Sequence, residues 1–107
     1  MIMSILKVAI SPEEQHKVLE TLRYVNGPIR VKPGFINCRV LKDLENSDSL
    51  TIIEEWESRE DLYRHIRSED YRATLALMDM SSKPLDLQFN SVSQFGGLDT
   101  VHEIRAK

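Results

Sequence analysis

The alternation of hydrophobic periods along the chain predicts an α+β domain: a four-stranded antiparallel sheet with its helices on one face. Two kinds of observation support this. Residues 2–10, 35–44, 49–57 and 85–95 are rich in apolar or β-branched residues and mostly show the period of two expected of strands, whereas the regions after Ser11 and after Ser58 repeat at three and four as helices do. Capping or turn residues stand at the junctions between them. With 107 residues the chain suits one core rather than two.

The first strand stops at Ser11-Pro12-Glu13-Glu14, where Ser11 is expected to cap a helix, Pro12 to take its first turn and Glu14 to complete a capping box. Val18, Leu22, Val25 and Ile29 form the apolar stripe of that helix, and Asn26-Gly27-Pro28 is expected to end or kink it. After Pro33-Gly34 the second strand alternates, with Phe35, Asn37, Arg39 and Leu41 on one face and Ile36, Cys38 and Val40 on the other. Glu45-Asn46-Ser47-Asp48 reads as the turn of a hairpin whose second strand sets Ile52, Glu54 and Trp56 side by side. Ser58 and Asp61 open a short helix carrying Leu62 and Ile66, and Ser68 caps a further one carrying Tyr71, Leu75 and Met78. Pro84 closes the helical region, and the last strand ends at Gly96-Gly97. Residues 1–97 are expected to form the domain and 98–107 a polar tail, to which Leu98, Val101 and Ile104 give one apolar edge.

In the order β-α-β-β-α-α-β these elements satisfy the right-handed crossover rule as a ferredoxin-like sheet. Apolar residues on both faces of the second and third strands point to a second copy of the chain covering the open face, hence a homodimer.

Composition narrows the function classes. Hydrophobic residues make up 41% and charged residues 29%, as in folded proteins. A net charge of -3 and the lack of any Lys/Arg cluster interleaved with aromatics argue against a nucleic-acid partner. No apolar run approaches the roughly 18 residues that span a bilayer, so no membrane role is expected. The first residues lack a basic leader with a cleavage site, and Cys38 is the single cysteine, so the expected location is cytoplasmic.

Three stretches carry a resemblance. Gly27-Pro28-Ile29-Arg30-Val31-Lys32-Pro33-Gly34-Phe35, Glu54-Glu55-Trp56-Glu57-Ser58 and His65-Ile66-Arg67-Ser68-Glu69-Asp70-Tyr71 together resemble the antibiotic biosynthesis monooxygenase family, in particular its small quinol monooxygenase members, over about residues 4–97. The resemblance implies a dimeric α/β barrel. It further implies a cofactor-independent monooxygenase that uses O2 on a quinol-like or polycyclic phenolic small molecule, without metal or other cofactor. The superfamily also contains heme-degrading oxygenases, isomerases and members with no known reaction. Its heme-degrading branch has a helical Trp followed ten residues later by a catalytic His, and this chain has His65 and Leu75 at those places. Its polyketide branch has an Asn four residues before the strand Trp, where this chain has Ile52.

Chemistry of this kind needs a base, an apolar cavity and donors for the substrate anion. His65 is the candidate catalytic base, because an imidazole in water is mostly neutral near pH 7 and able to accept a proton. The competing reading has His65 at the edge of its helix stripe, holding a backbone carbonyl. Trp56 and Tyr71 are candidate substrate-binding residues that line a flat aromatic pocket, or else core. Arg39 and Asn37 share a strand face and are candidate binding groups, with an ion pair from Arg39 to Glu54 or Glu55 as the alternative. Glu54 and Glu55 point to opposite faces and form no acid/base dyad. His16, His65, His102 and Cys38 lack any ligand spacing, Met78 and Met80 read as gap-fillers, and Cys38 as a small buried hydrophobe. An isomerase or lyase using the same base, and a non-catalytic dimer that binds a small aromatic ligand, remain the alternatives.

Overall fold

The computed structural model describes the backbone of residues 1–107 and every side chain except those of residues 24–26. Its elements are β1 (Ile2–Ala9), α1 (Pro12–Ile29), β2 (Phe35–Lys42), β3 (Ser49–Trp56), α2 (Arg59–Arg67), a 3-10 turn (Glu69–Tyr71), α3 (Arg72–Asp79), β4 (Asp86–Ser91) and α4 (Leu98–Arg105). The four strands form one antiparallel sheet in the order β2-β3-β1-β4, the ferredoxin-like arrangement expected. No helix among the described residues is long and apolar enough to cross a membrane.

Alternation assigns each strand residue to a side. Leu6 and Val8 of β1, Leu50 and Ile52 of β3, and Ile10 beyond β1 are buried with Val18 and Leu22 of α1 and Leu77 of α3 in the main core. A second cluster, Ile2, Ile29, Trp56 and Leu62, fills the other end of the same layer. The opposite face has Met3, Ile5 and Ile53 at its centre and polar residues such as Lys7, Thr51 and Glu55 around them. The expected Val25 of the α1 stripe lies outside the described side chains.

Several local expectations are corrected. Ser11 makes no side-chain cap; its carbonyl accepts from the backbone N–H groups of Glu14 and Gln15. The start of α1 is held instead by buried Gln15, whose Nε2 donates to the carbonyls of Ile10 and Ser47 at 2.8 and 2.7 Å, tying the helix to the β2–β3 turn. The helix also continues through Gly27 and Pro28 to Ile29. Ile29 is buried against the second cluster, and full burial of such a side chain is worth roughly 1.5–3 kcal/mol, enough to offset one ladder bond lost in the final turn. Further on, Leu77 is buried while Leu75 is exposed. The 3-10 turn at Glu69–Tyr71 winds more tightly than an α-helix and shifts the phase of the residues after it. The last strand is shorter than 85–95, and the tail contains a helix.

β2 departs from simple alternation. A bulge between Phe35 and Asn37 leaves Phe35 opposite Trp56 and Cys38 opposite Glu54, so both lie on the helix-covered side. Phe35 therefore parts from Asn37, Arg39 and Leu41, with which strict alternation grouped it.

Gly34 precedes the bulge with φ of 77°, and its carbonyl accepts from Glu57 N at 2.8 Å. A Cβ at this position would also collide with the Asp61 carboxylate. Gly34→Ala is expected to lower stability by about 2 kcal/mol, read as a lower urea midpoint. The loss should shrink in an Asp61→Ala background, where only the backbone strain remains.

Candidate functional site

The site grows from β3. Residues 52, 54 and 56 share the helix-covered face, and between two apolar side chains this places a carboxylate, Glu54, that is only 6% exposed. Burying a carboxylate is costly unless it is compensated. Trp56 Nε1, on the same strand face, donates to Glu54 Oε1 at 3.1 Å. The imidazole of His65 approaches the other oxygen, with Nε2 3.6 Å from Oε2, an ion-pair distance longer than a hydrogen bond. Nε2 has no hydrogen-bond partner among the described residues.

α2 brings His65 there. Ser58 accepts from Asp61 N and starts the helix, which turns Leu62 and His65 inward three residues apart. His65 is 3% exposed, deeper than the edge position its stripe suggested. Its ring stacks on Trp56, centroids 5.0 Å apart at 29°, and meets Tyr71 edge-on at 5.4 Å and 85°. Phe35, redirected by the bulge, meets Trp56 edge-on at 5.7 Å. The structure thus brings together His65, Trp56 and Tyr71.

Three further residues complete the cluster, and sequence reasoning had not singled them out. Lys32, just after α1, places Nζ 3.3 Å from His65 Nδ1, 2.7 Å from Ser68 Oγ and 3.0 Å from Asp70 Oδ2. An ammonium has three N–H groups and no acceptor, so these contacts use all of them and Nδ1 must accept. The neutral ring then carries its hydrogen on Nε2, facing Glu54. Ser68 Oγ passes the chain on by donating to the carbonyl of His65 at 2.7 Å. The one signal available in sequence was a Glu, Glu54, inside an otherwise apolar strand face.

Burial, and after it the charge of Glu54, sets the electrostatics of two neighbours. The Tyr71 phenol is pushed above its ordinary pKa by burial and then by the Glu54 charge, so near neutrality it keeps its proton and acts as a donor. The Cys38 thiol, across the sheet from Glu54, is raised to about 11 by burial first and Glu54 second, with Arg30 acting in the opposite sense. This makes it a poor nucleophile at neutral pH.

Arg39 and Asn37 lie elsewhere. Arg39 pairs with Glu55 at 2.9 Å on the open sheet face, and Asn37 Oδ1 accepts from Cys38 N. Both are separated by the sheet from Trp56 and His65, so alternation places them outside this cluster. His16, His65, His102 and Cys38 sit on four different elements, and the described residues hold no group of three His, Cys, Asp or Glu disposed around a common metal position.

Two neighbouring cavities lie here, of which one touches the cluster. A crevice of about 10 Å³, room for one water-sized group, is lined by Glu54, His65, Asp70, Leu22, Ala73 and Thr74. An apolar cleft of about 270 Å³ opens between α1 and α3, with Val18, Ala76, Leu77 and Met80 on its walls. Leu22 and Ala73 line both and form the partition between them.

Two measurements test this geometry. Nitrogen NMR of His65 is expected to show the Nε2–H tautomer, and Lys32→Met to shift the ring toward a mixture of tautomers while the fold is retained. Because the Cys38 pKa is raised on folding, its contribution is present below pH 9 and is lost as pH rises from 9.0 to about 11, where the unfolded thiol ionises first. The urea midpoint should therefore fall more steeply across that window in the natural chain than in Cys38→Ala.

Comparison with known proteins places the chain in a family. The antibiotic biosynthesis monooxygenase family model matches residues 1–77. A conserved protein from Methanosarcina mazei Go1 superimposes with a TM-score of 0.77 at 24% identity, over 86% of this chain and 92% of that one. An antibiotic biosynthesis monooxygenase does so with a TM-score of 0.74 at 21% identity, over 88% and 100%. SnoaB, a cofactor-independent oxygenase from Streptomyces nogalater, matches with a TM-score of 0.69 at 16% identity, over 87% and 93%. No curated protein matches the chain by sequence. At these identities the solved structures speak to the fold, and it is the match from β1 into α3 that establishes kinship: the chain belongs to the antibiotic biosynthesis monooxygenase family.

Proposed function

We propose that this protein is a cofactor-independent monooxygenase that oxidises a quinol-like or polycyclic phenolic small molecule with O2, working as a homodimer. The observation that carries the reading is the adjacency of the two cavities: a crevice sized for one oxygen-bearing group, with Glu54 and His65 on its wall, backs onto an apolar cleft suited to a flat ring. Membership of the family and the likeness to SnoaB support the class of reaction.

In this reading the ring lies between α1 and α3 and its hydroxyl displaces Leu22 and Ala73 enough to enter the crevice. Glu54 takes the proton, because the lone pair of His65 Nδ1 is engaged by Lys32 and Nε2 carries a hydrogen. His65, the base expected from sequence, becomes the residue that holds the carboxylate and donates to the new phenolate. The electron-rich anion reduces O2 by one electron, and the two radicals combine at a ring-activated carbon. The peroxide anion so formed takes the proton back from Glu54, and for an anthrone-type CH2 loss of water from the hydroperoxide leaves C=O, so one oxygen atom enters the product and the other leaves as water. Tyr71 and Lys32 stabilise the anion from the far side of the imidazole. The homodimer is supported by the apolar centre of the open sheet face, Met3, Ile5 and Ile53.

Oxygen uptake by protein stripped of metal and flavin, offered a panel of hydroquinones and anthrones, tests the proposal. Uptake is expected to fall by about a hundredfold or more in Glu54→Gln, the scale of a lost general base, and in His65→Ala, the scale of a lost anion donor. Uptake at the spontaneous rate across the panel would overturn it. Anaerobic turnover would then indicate the isomerase or lyase, and binding without product the ligand-binding dimer.

A further inference from the structure

Among the described residues, His65 Nε2 is the one buried side-chain polar atom without a hydrogen-bond partner. Its ring is 3% exposed, and with Nδ1 engaged by Lys32 this orphan nitrogen carries the hydrogen. A buried N–H is seldom left unpaired, so its partner belongs in the space beside it. That space is the crevice of about 10 Å³ that His65 lines together with Glu54.

α3 brings a hydroxyl to the same crevice. Asp70, Ala73, Thr74 and Leu77 recur at steps of three and four and so share one face; Leu77 is buried in the core and the other three line the crevice. A threonine inside a helix commonly returns its hydroxyl to the carbonyl four residues back. Thr21 does so in α1, donating to the carbonyl of Lys17 at 3.0 Å. Thr74 makes no side-chain hydrogen bond among the described residues, which leaves its Oγ1 to the crevice. Three elements thus supply two donors and a proton acceptor: the imidazole from α2, the hydroxyl from α3 and the Glu54 carboxylate from β3.

We propose that Thr74 and His65 form a two-donor seat for a single aryl oxygen, which selects phenols and para-hydroquinones over catechols. The entering hydroxyl gives its proton to Glu54, and the phenolate oxygen accepts from His65 Nε2–H and from the Thr74 hydroxyl. Negative charge passes from carboxylate to phenolate, so the total in the crevice is unchanged, and Lys32 stays behind the imidazole and beside Asp70 as counter-charge. Selection follows from size. Space for one water-sized group, closed by Leu22, Ile29 and Ala73, leaves no place for a second oxygen on the adjacent ring carbon, and a catechol would have to bury that hydroxyl against apolar walls. The second oxygen of a para-hydroquinone points away from the crevice, into the cleft whose lining includes Lys17 and Thr21. The inference rests on the entry of a hydroxyl into the crevice, as in the oxygenase reading, but it concerns an equilibrium that needs no O2.

Anaerobic binding of para-nitrophenol tests it, because the phenol and the phenolate absorb at different wavelengths. At a pH below the probe's own pKa, the bound probe is expected to show the phenolate band. Thr74→Val keeps the β-branched shape and removes the hydroxyl; it is expected to lower the bound phenolate-to-phenol ratio by about tenfold, the weight of one hydrogen bond to a charged oxygen. Thr74→Ser, which keeps the hydroxyl, is expected to retain the natural ratio, a pattern that loss of packing alone would not give. Nitrocatechol is expected to bind about tenfold or more weakly than para-nitrophenol, as befits a buried hydroxyl without a partner. A ratio unchanged in Thr74→Val, equal binding of nitrocatechol, or no binding of para-nitrophenol would overturn the inference. The expected ratios in a protein inert toward O2 would support the seat and sink the oxygenase reading alone.

Discussion

Much of this molecule follows from having placed one carboxylate on the wrong side of a sheet. Glu54 occupies a position that alternation dedicates to the core, and a buried charge without partners costs several kcal/mol. The neighbouring elements answer that cost. β3 itself supplies the Trp56 indole, α2 supplies His65, the segment leaving α1 supplies Lys32, and the turn before α3 supplies Ser68 and Asp70. One compensating network thereby stitches four parts of the chain together.

The network also distributes roles that the residue types alone leave open. A histidine between a carboxylate and an ammonium is held by both, and Lys32 decides which nitrogen bears the hydrogen. The carboxylate gains access to the crevice, while Tyr71, its phenol pushed up by burial, is kept as a donor. Low local dielectric strengthens every one of these contacts and penalises the loss of any partner.

Separation of the two sheet faces is the second organising fact. A bulge of one residue in β2 sends Phe35 to the Trp56 side and leaves Arg39 and Asn37 on the open face. Aromatic packing thus accumulates around the buried network, and ion pairing with Glu55 remains on the face that awaits another surface.

Element order, hairpin, sheet class and the inward face of β3 were legible in the sequence, because periods of two and 3.6 report directly which side of a strand or helix meets the core. His65, Trp56 and Tyr71 meet in the structure, with His65 deeper than the edge position its helix stripe gave it. The end of α1, the phase of α3 and the face of Phe35 were not legible, since a buried Ile29, a 3-10 turn and a bulge each alter the winding locally without a distinctive residue pattern. Lys32, Ser68 and Asp70 could be recognised as site residues only in three dimensions. They lie 33 residues and more from Lys32 to its partners along the chain, and a polar side chain in a connecting segment has no partner until folding brings one. Sequence by itself determined which faces are apolar; tertiary structure decided which charges meet, because Coulomb and hydrogen-bond energies depend on distances of a few ångströms that periodicity does not encode.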